Sequence, residues 1–161
     1  MASHARKLVP TVALLCAVTF LAAGCGSDYS SSDDQTDVAT TPAKTSQSYE
    51  AFQLPSKNIA CQVLKPAYAR CEVKKKTFSP PVKPASCTLD WGTSVAVQGK
   101  GPGKFICHGD TVVVPDAPVL EYGESSAVGS VVCDSSEAGI ECRNTNTGHG
   151  FFLAREDYRT F

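Results

Sequence analysis

Six cysteines, Cys61, Cys71, Cys87, Cys107, Cys133 and Cys142, constrain this chain more than any other feature, because they lie in or beside short stretches of extended character. An even set of cysteines in an exported domain reads as a disulfide framework. Sequence alone leaves the connectivity open, but the spacing suggests that neighbours in order pair. Cys61 and Cys71 flank Lys65-Pro66-Ala67, while Cys133 and Cys142 flank the segment from Asp134 to Gly139, so each pair brackets one turn. Each then bridges the arms of its own hairpin, which leaves Cys87 for Cys107. Structural zinc sites usually place ligands about two to four residues apart, and no two of these cysteines stand so close. No metal and no cofactor is expected.

The N-terminus supplies the argument for export. His4, Arg6 and Lys7 precede an apolar run from Leu8 to Ala23, which ends in small residues directly before Cys25. That order is a secretory leader. The run is interrupted by Pro10 and is shorter than the roughly 20 apolar residues that span a bilayer. Leu21-Ala22-Ala23-Gly24-Cys25 reads as a lipoprotein cleavage box, with residues 1–24 removed and Cys25 carrying a diacylglyceryl group. Two acyl chains hold a protein at a membrane where one does not. The alternative is an ordinary leader cut after Gly24, with Cys25 left as a free thiol. Of the eight cysteines, Cys16 leaves with the leader in either case.

Residues 25–48 are rich in Ser, Thr and Asp and cannot bury enough apolar surface to fold. They read as a tether with a mean reach of roughly 26 Å. Residues 49–161 suit one domain. That domain holds 12 Lys or Arg and 12 Asp or Glu, so it is formally neutral, and no nucleic-acid partner is expected. Lys74-Lys75-Lys76, with Lys65, Arg70 and Lys83, is the one local basic excess.

Strand-like alternation dominates the domain. Ala51–Leu54, Asn58–Val63 and Tyr68–Val73 read as strands, and the register that sets Cys61 opposite Cys71 also sets Ile59 opposite Val73. Pro80, Pro81 and Pro84 make the following segment an extended connection. Ser94–Val97 and Phe105–Cys107 form a second hairpin, and Thr111–Val114 and Val119–Gly123 continue the extended theme. Val128–Cys133 and Ile140–Asn144 repeat the design of the first hairpin, His149–Ala154 is a core strand, and one helical turn is expected over Arg155–Arg159. The expectation is an all-β domain, a small antiparallel sandwich or partly open barrel of roughly six to nine strands built from hairpins.

Several motifs, taken together, resemble a known family. They are Leu54-Pro55-Ser56-x-Asn58-Ile59-x-Cys61, Cys87-x-Leu89-Asp90-Trp91-Gly92, Cys107-x-Gly109-Asp110-Thr111, Tyr122-Gly123, Gly139-Ile140-x-Cys142-x-Asn144, Gly148-His149-Gly150-Phe151-Phe152-Leu153 and Tyr158-Arg159. They are similar to an uncharacterised domain family of exported and lipid-anchored proteins from mycobacteria and related actinobacteria. The resemblance spans residues 52–161. It implies an extracytoplasmic location and a shared fold with structural cysteines, and it carries no activity.

Candidate chemistry is sparse. His108, Asp110 and His149 are the titratable residues that invite a catalytic or metal site, but nothing in the sequence brings His149 near the other two. Pairing all six cysteines leaves no thiol nucleophile. No Gly-x-Ser-x-Gly motif occurs. Trp91, Tyr122 and His149 form a candidate binding face if they are exposed together. Two readings follow: a binding or interaction module lipid-anchored at the outer face of the cytoplasmic membrane, with an envelope protein or glycan as partner, or an envelope hydrolase using His108, Asp110 or His149.

Overall fold

A computed structural model describes residues 45–161. The expected leader, Cys25 and the tether up to residue 44 lie outside the described residues. Eleven strands follow one another: β1 (Ser46–Gln47), β2 (Ala51–Gln53), β3 (Ile59–Leu64), β4 (Tyr68–Val73), β5 (Ser94–Gln98), β6 (Lys104–Phe105), β7 (Ser125–Val128), β8 (Val131–Ser136), β9 (Gly139–Asn144), β10 (Gly150–Leu153) and β11 (Tyr158–Thr160). Among the described residues there is no helix. The first sheet has the order β1-β7-β8-β9-β10-β11 and the second β2-β3-β4-β5-β6. Every pairing is antiparallel except that of β1 with β7. The two sheets enclose one core, so the fold is a sandwich and not a barrel.

Alternation explains the core. In β3, Ile59, Cys61 and Val63 point between the sheets, and in β8 Val131, Cys133 and Ser135 do the same. Phe52, Leu54, Leu120, Ile140, Phe151 and Leu153 fill the space between them. Each such side chain contributes about 1.5–3 kcal/mol by leaving water. The expected register is found, with Cys61 opposite Cys71 and Ile59 opposite Val73. All three disulfides join neighbours in order: Cys61–Cys71, Cys87–Cys107 and Cys133–Cys142. The first staples the second sheet and the third staples the first sheet, and they meet in the core, where Cys71 Sγ lies 3.8 Å from Cys142 Sγ.

Other expectations are corrected. The strand count is eleven, above the range expected. Val128–Cys133 is not one strand, because Gly129 adopts φ 60° and turns the chain between β7 and β8. A side chain there would place its Cβ 2.4 Å from the Pro66 carbonyl oxygen, which the Ser130 backbone N–H and hydroxyl both approach as donors, at 2.9 and 3.1 Å. Thr111–Val114 forms no ladder, since the Val112 N–H and the Thr111 hydroxyl donate to the Glu72 carboxylate and the Val113 N–H donates to the Thr111 hydroxyl. Val119–Gly123 contributes only a single bridge, Val119 to Gln53. Over Arg155–Arg159 the Ala154 N–H donates to the Asp157 carbonyl, and the reversed chain leads into β11 in place of a helical turn.

The two ends of the sandwich differ. Ser46 and Gln47 pair with Ser125 and Ser126, so the ladder begins inside the stretch expected to be tether, at the end that carries the turn between β8 and β9. The opposite end carries the turn of the Cys61–Cys71 hairpin, the turn between β7 and β8, and Gly99 after β5. There Gly99 N–H donates to the Ala67 carbonyl at 2.8 Å, and the Asn144 side chain donates to the Gly99 carbonyl at 2.6 Å.

Candidate functional site

The outward residues of the second sheet form three rows across β3, β4 and β5: Ala60, Glu72 and Ser94; Gln62, Arg70 and Ala96; and Leu64, Tyr68 and Gln98. The segment after β6 lies over the first row and fastens on Arg70, which is only 5% exposed. Arg70 Nε donates to Ser94 Oγ at 2.8 Å, Nη1 to Asp110 Oδ1 at 2.8 Å and Nη2 to the Asp110 carbonyl at 2.9 Å. Glu72 Oε2 stands 3.6 Å from Nη2. A buried guanidinium persists only with such partners.

His108 belongs to the same clamp. A carbonyl oxygen only accepts, so His108 Nδ1 donates to the Asp110 carbonyl at 2.9 Å, and Nε2 lies within hydrogen-bond distance of the Thr93 hydroxyl at 3.2 Å. The structure thus brings His108 and Asp110 together with Arg70. His149 sits apart, in the turn between β9 and β10 of the other sheet, where its N–H donates to Thr147 Oγ1. Among the described residues no hydrogen bond or ion pair joins it to His108 or Asp110.

Asp110 shows the electrostatic gain from this arrangement. Its hydrogen bond and charge pairing with Arg70 hold its carboxyl below the ordinary 3.8, although its side chain is 78% exposed. A carboxylate with a depressed pKa in the folded state stabilises above its unfolded pKa, and that contribution is lost as pH falls through the folded value. The clamp is therefore expected to stay closed at neutral pH and to loosen only below 3.8. Melting temperature followed against pH checks this: the native chain and Asp110→Asn should differ at neutral pH and converge in acid, and a constant difference would contradict the assignment.

Beyond the clamp the sheet face stays open as a groove of about 500 Å³, floored by Gln62, Leu64, Tyr68, Arg70 and Gln98 and edged by Asp110. Tyr68 is half-buried, and burial raises its phenol above 10.0, with Arg70 opposing that shift and Asp110 adding to it. It is a neutral phenol at any physiological pH. The Gln62 and Gln98 side-chain amides hold no hydrogen bond among the described residues. Tyr68, Gln62 and Gln98 were not singled out by the sequence reading. The signal was present, because Cys61 and Cys71 mark the inward face and every second residue from them points out.

The candidate face of Trp91, Tyr122 and His149 is distributed over the domain. Trp91 Nε1 donates to the Pro81 carbonyl at 2.8 Å, and its ring lies 5.9 Å from that of Phe105, which also meets Tyr158 at 4.7 Å. Tyr122 lines a second groove, at the end where β1 enters, together with Lys57, Lys74 and Lys75. Arg70 is no part of a basic patch, being paired beneath the clamp. The Sγ atoms of Cys61, Cys71 and Cys142 lie within 4.8 Å of one another. All three are disulfide sulfurs, so they are not the thiolates a metal requires.

Fold and groove together define a small all-β sandwich, stapled within each sheet, that carries an open groove on its second sheet. The chain belongs to a family of unknown function, DUF6636, whose model matches residues 38–161. No curated protein and no solved structure matches it.

Proposed function

We propose that this protein is a binding module, held at the outer face of the cytoplasmic membrane by a diacylglyceryl group on Cys25, with the groove of the second sheet as its ligand surface. The observation that carries the reading is the groove itself: Gln62 and Gln98 amides with no hydrogen bond among the described residues and a half-exposed Tyr68, all on paired strands. Its position supports the reading further. The groove lies toward the Lys65–Ala67 turn, at the end of the sandwich away from Ser46. The envelope-hydrolase reading would need His108 and Asp110 to leave their bonds to Thr93 and Arg70.

Two measurements test the proposal. Intact mass of protein taken from its native membrane should carry the diacyl increment on Cys25. The exported chain with Cys25→Ser should be retained on isolated cell envelopes, and Tyr68→Ala with Gln98→Ala should reduce that retention about tenfold. Equal retention of the folded double variant would rule out the groove.

A further inference from the structure

Resting on that reading, we infer that the groove takes a neutral glycan, laid across β3, β4 and β5 over Tyr68 and held through its hydroxyls by Gln62, Gln98 and Asp110. Three features of the site select this class of ligand.

The first is the backbone. β3, β4 and β5 are interior strands, and β2 and β6 cover their outer edges as far as Gln62 and Ala96, so the groove floor offers no ladder edge longer than the last residues of β3 and β5. An extended peptide binds a sheet by adding to such an edge. Recognition at this face must run through side chains.

The second is charge. The Arg70 guanidinium is engaged by Ser94, Asp110 and Glu72, which leaves the floor without a free cation. Lys65 also lines the groove, but from the turn beyond β3 and not from the sheet. An anionic ligand would meet the exposed Asp110 carboxylate, and because Arg70 already balances that charge a cationic ligand gains little over a neutral one.

The third is the match of donors and acceptors. Each glutamine amide offers two donors and a carbonyl acceptor, which suits neighbouring hydroxyls that both give and receive hydrogen bonds. Gln62 and Gln98 stand on strands either side of β4 and one row apart, about 12 Å from each other by strand spacing and rise, so a chain of sugar rings crossing the sheet obliquely reaches both. Between them Tyr68, flanked by Leu64 in the same row, supplies an apolar surface for the C–H face of a ring. Asp110, fixed by Arg70, is a charge-assisted acceptor at one edge.

The test uses the exported chain with Cys25→Ser, labelled with ¹⁵N and with its disulfides intact. It is titrated with a set of neutral and acidic oligosaccharides and with size-fractionated neutral sugars released from the native envelope. The expected result is that a neutral sugar shifts the side-chain amide signals of Gln62 and Gln98. Tyr68→Ala should then weaken binding about tenfold, and Lys65→Glu should leave it unchanged. Binding of acidic sugars alone, abolished by Lys65→Glu, would overturn the neutral class, and silence toward the whole set would overturn a glycan ligand. Either failure leaves the groove itself to be judged by envelope retention, which reports on any ligand, so the two readings fail separately.

Discussion

Removing the Cys61–Cys71 bridge, with Cys61→Ala and Cys71→Ala together, is expected to lower the unfolding free energy by about 3 to 5 kcal/mol. Closing so short a loop accounts for somewhat under 3 kcal/mol by chain entropy. The remainder comes from the core, because both cysteines are fully buried and their sulfurs pack against the Cys133–Cys142 bridge. Contact between the bridges makes a second expectation. Once one pair is gone, the neighbouring sulfurs line a void into which their own removal lets the core settle, so removing both should cost less than the sum by about 1 kcal/mol. Cys87–Cys107 lies outside this contact, and its loss should add without coupling. Denaturant unfolding of the single-bridge and double-bridge variants decides the point. Strict additivity of the two core bridges would show that their contact carries no energy.

Arg70→Met is expected to cost about 3 kcal/mol, near the lower limit for breaking a buried ion pair because the exposed Asp110 carboxylate regains water. Methionine fills much of the same space and restores none of the bonds to Ser94, Asp110 or Glu72. The loss should be local before it is global. Amide exchange should quicken over residues 108–112, which Arg70 and Glu72 fasten to the sheet, while the Cys133–Cys142 hairpin keeps its protection. Arg70→Lys should recover little, since one ammonium cannot serve Ser94, Oδ1 of Asp110 and the Asp110 carbonyl together. Unchanged exchange over 108–112 would mean that the segment is held by packing alone.

Much of the fold was legible because its strands carry their own registration marks. Cysteines opposite one another in Cys61–Cys71 and Cys133–Cys142 fix both the pairing and the inward face, and alternation does the rest. Legibility ended where local pattern competes with distant partners. Thr111–Val114 has strand composition, yet its donors go to Glu72, 39 residues away from Thr111. The break at Gly129 was hidden because the glycine is surrounded by valines that suit either one long strand or two short ones. The candidate groove was less legible, since titratable residues drew attention to His108 and Asp110. These turned out to hold a loop, whereas the open groove is floored by uncharged glutamines and a tyrosine that sequence leaves unremarkable. Of its six named residues only Arg70 and Asp110 had been noticed, Arg70 as part of a patch it does not join.

The two core bridges touch, but each stays within its own sheet. An oxidised chain that has lost its tertiary structure therefore still has the pairings β3 to β4 and β8 to β9 set in register. Slippage by one residue, which would turn a whole strand inside out, is forbidden in both hairpins before any docking occurs. The slow search in an all-β chain is for partners distant in sequence. Here that search reduces to laying two pre-registered ribbons face to face and adding the short strands around them.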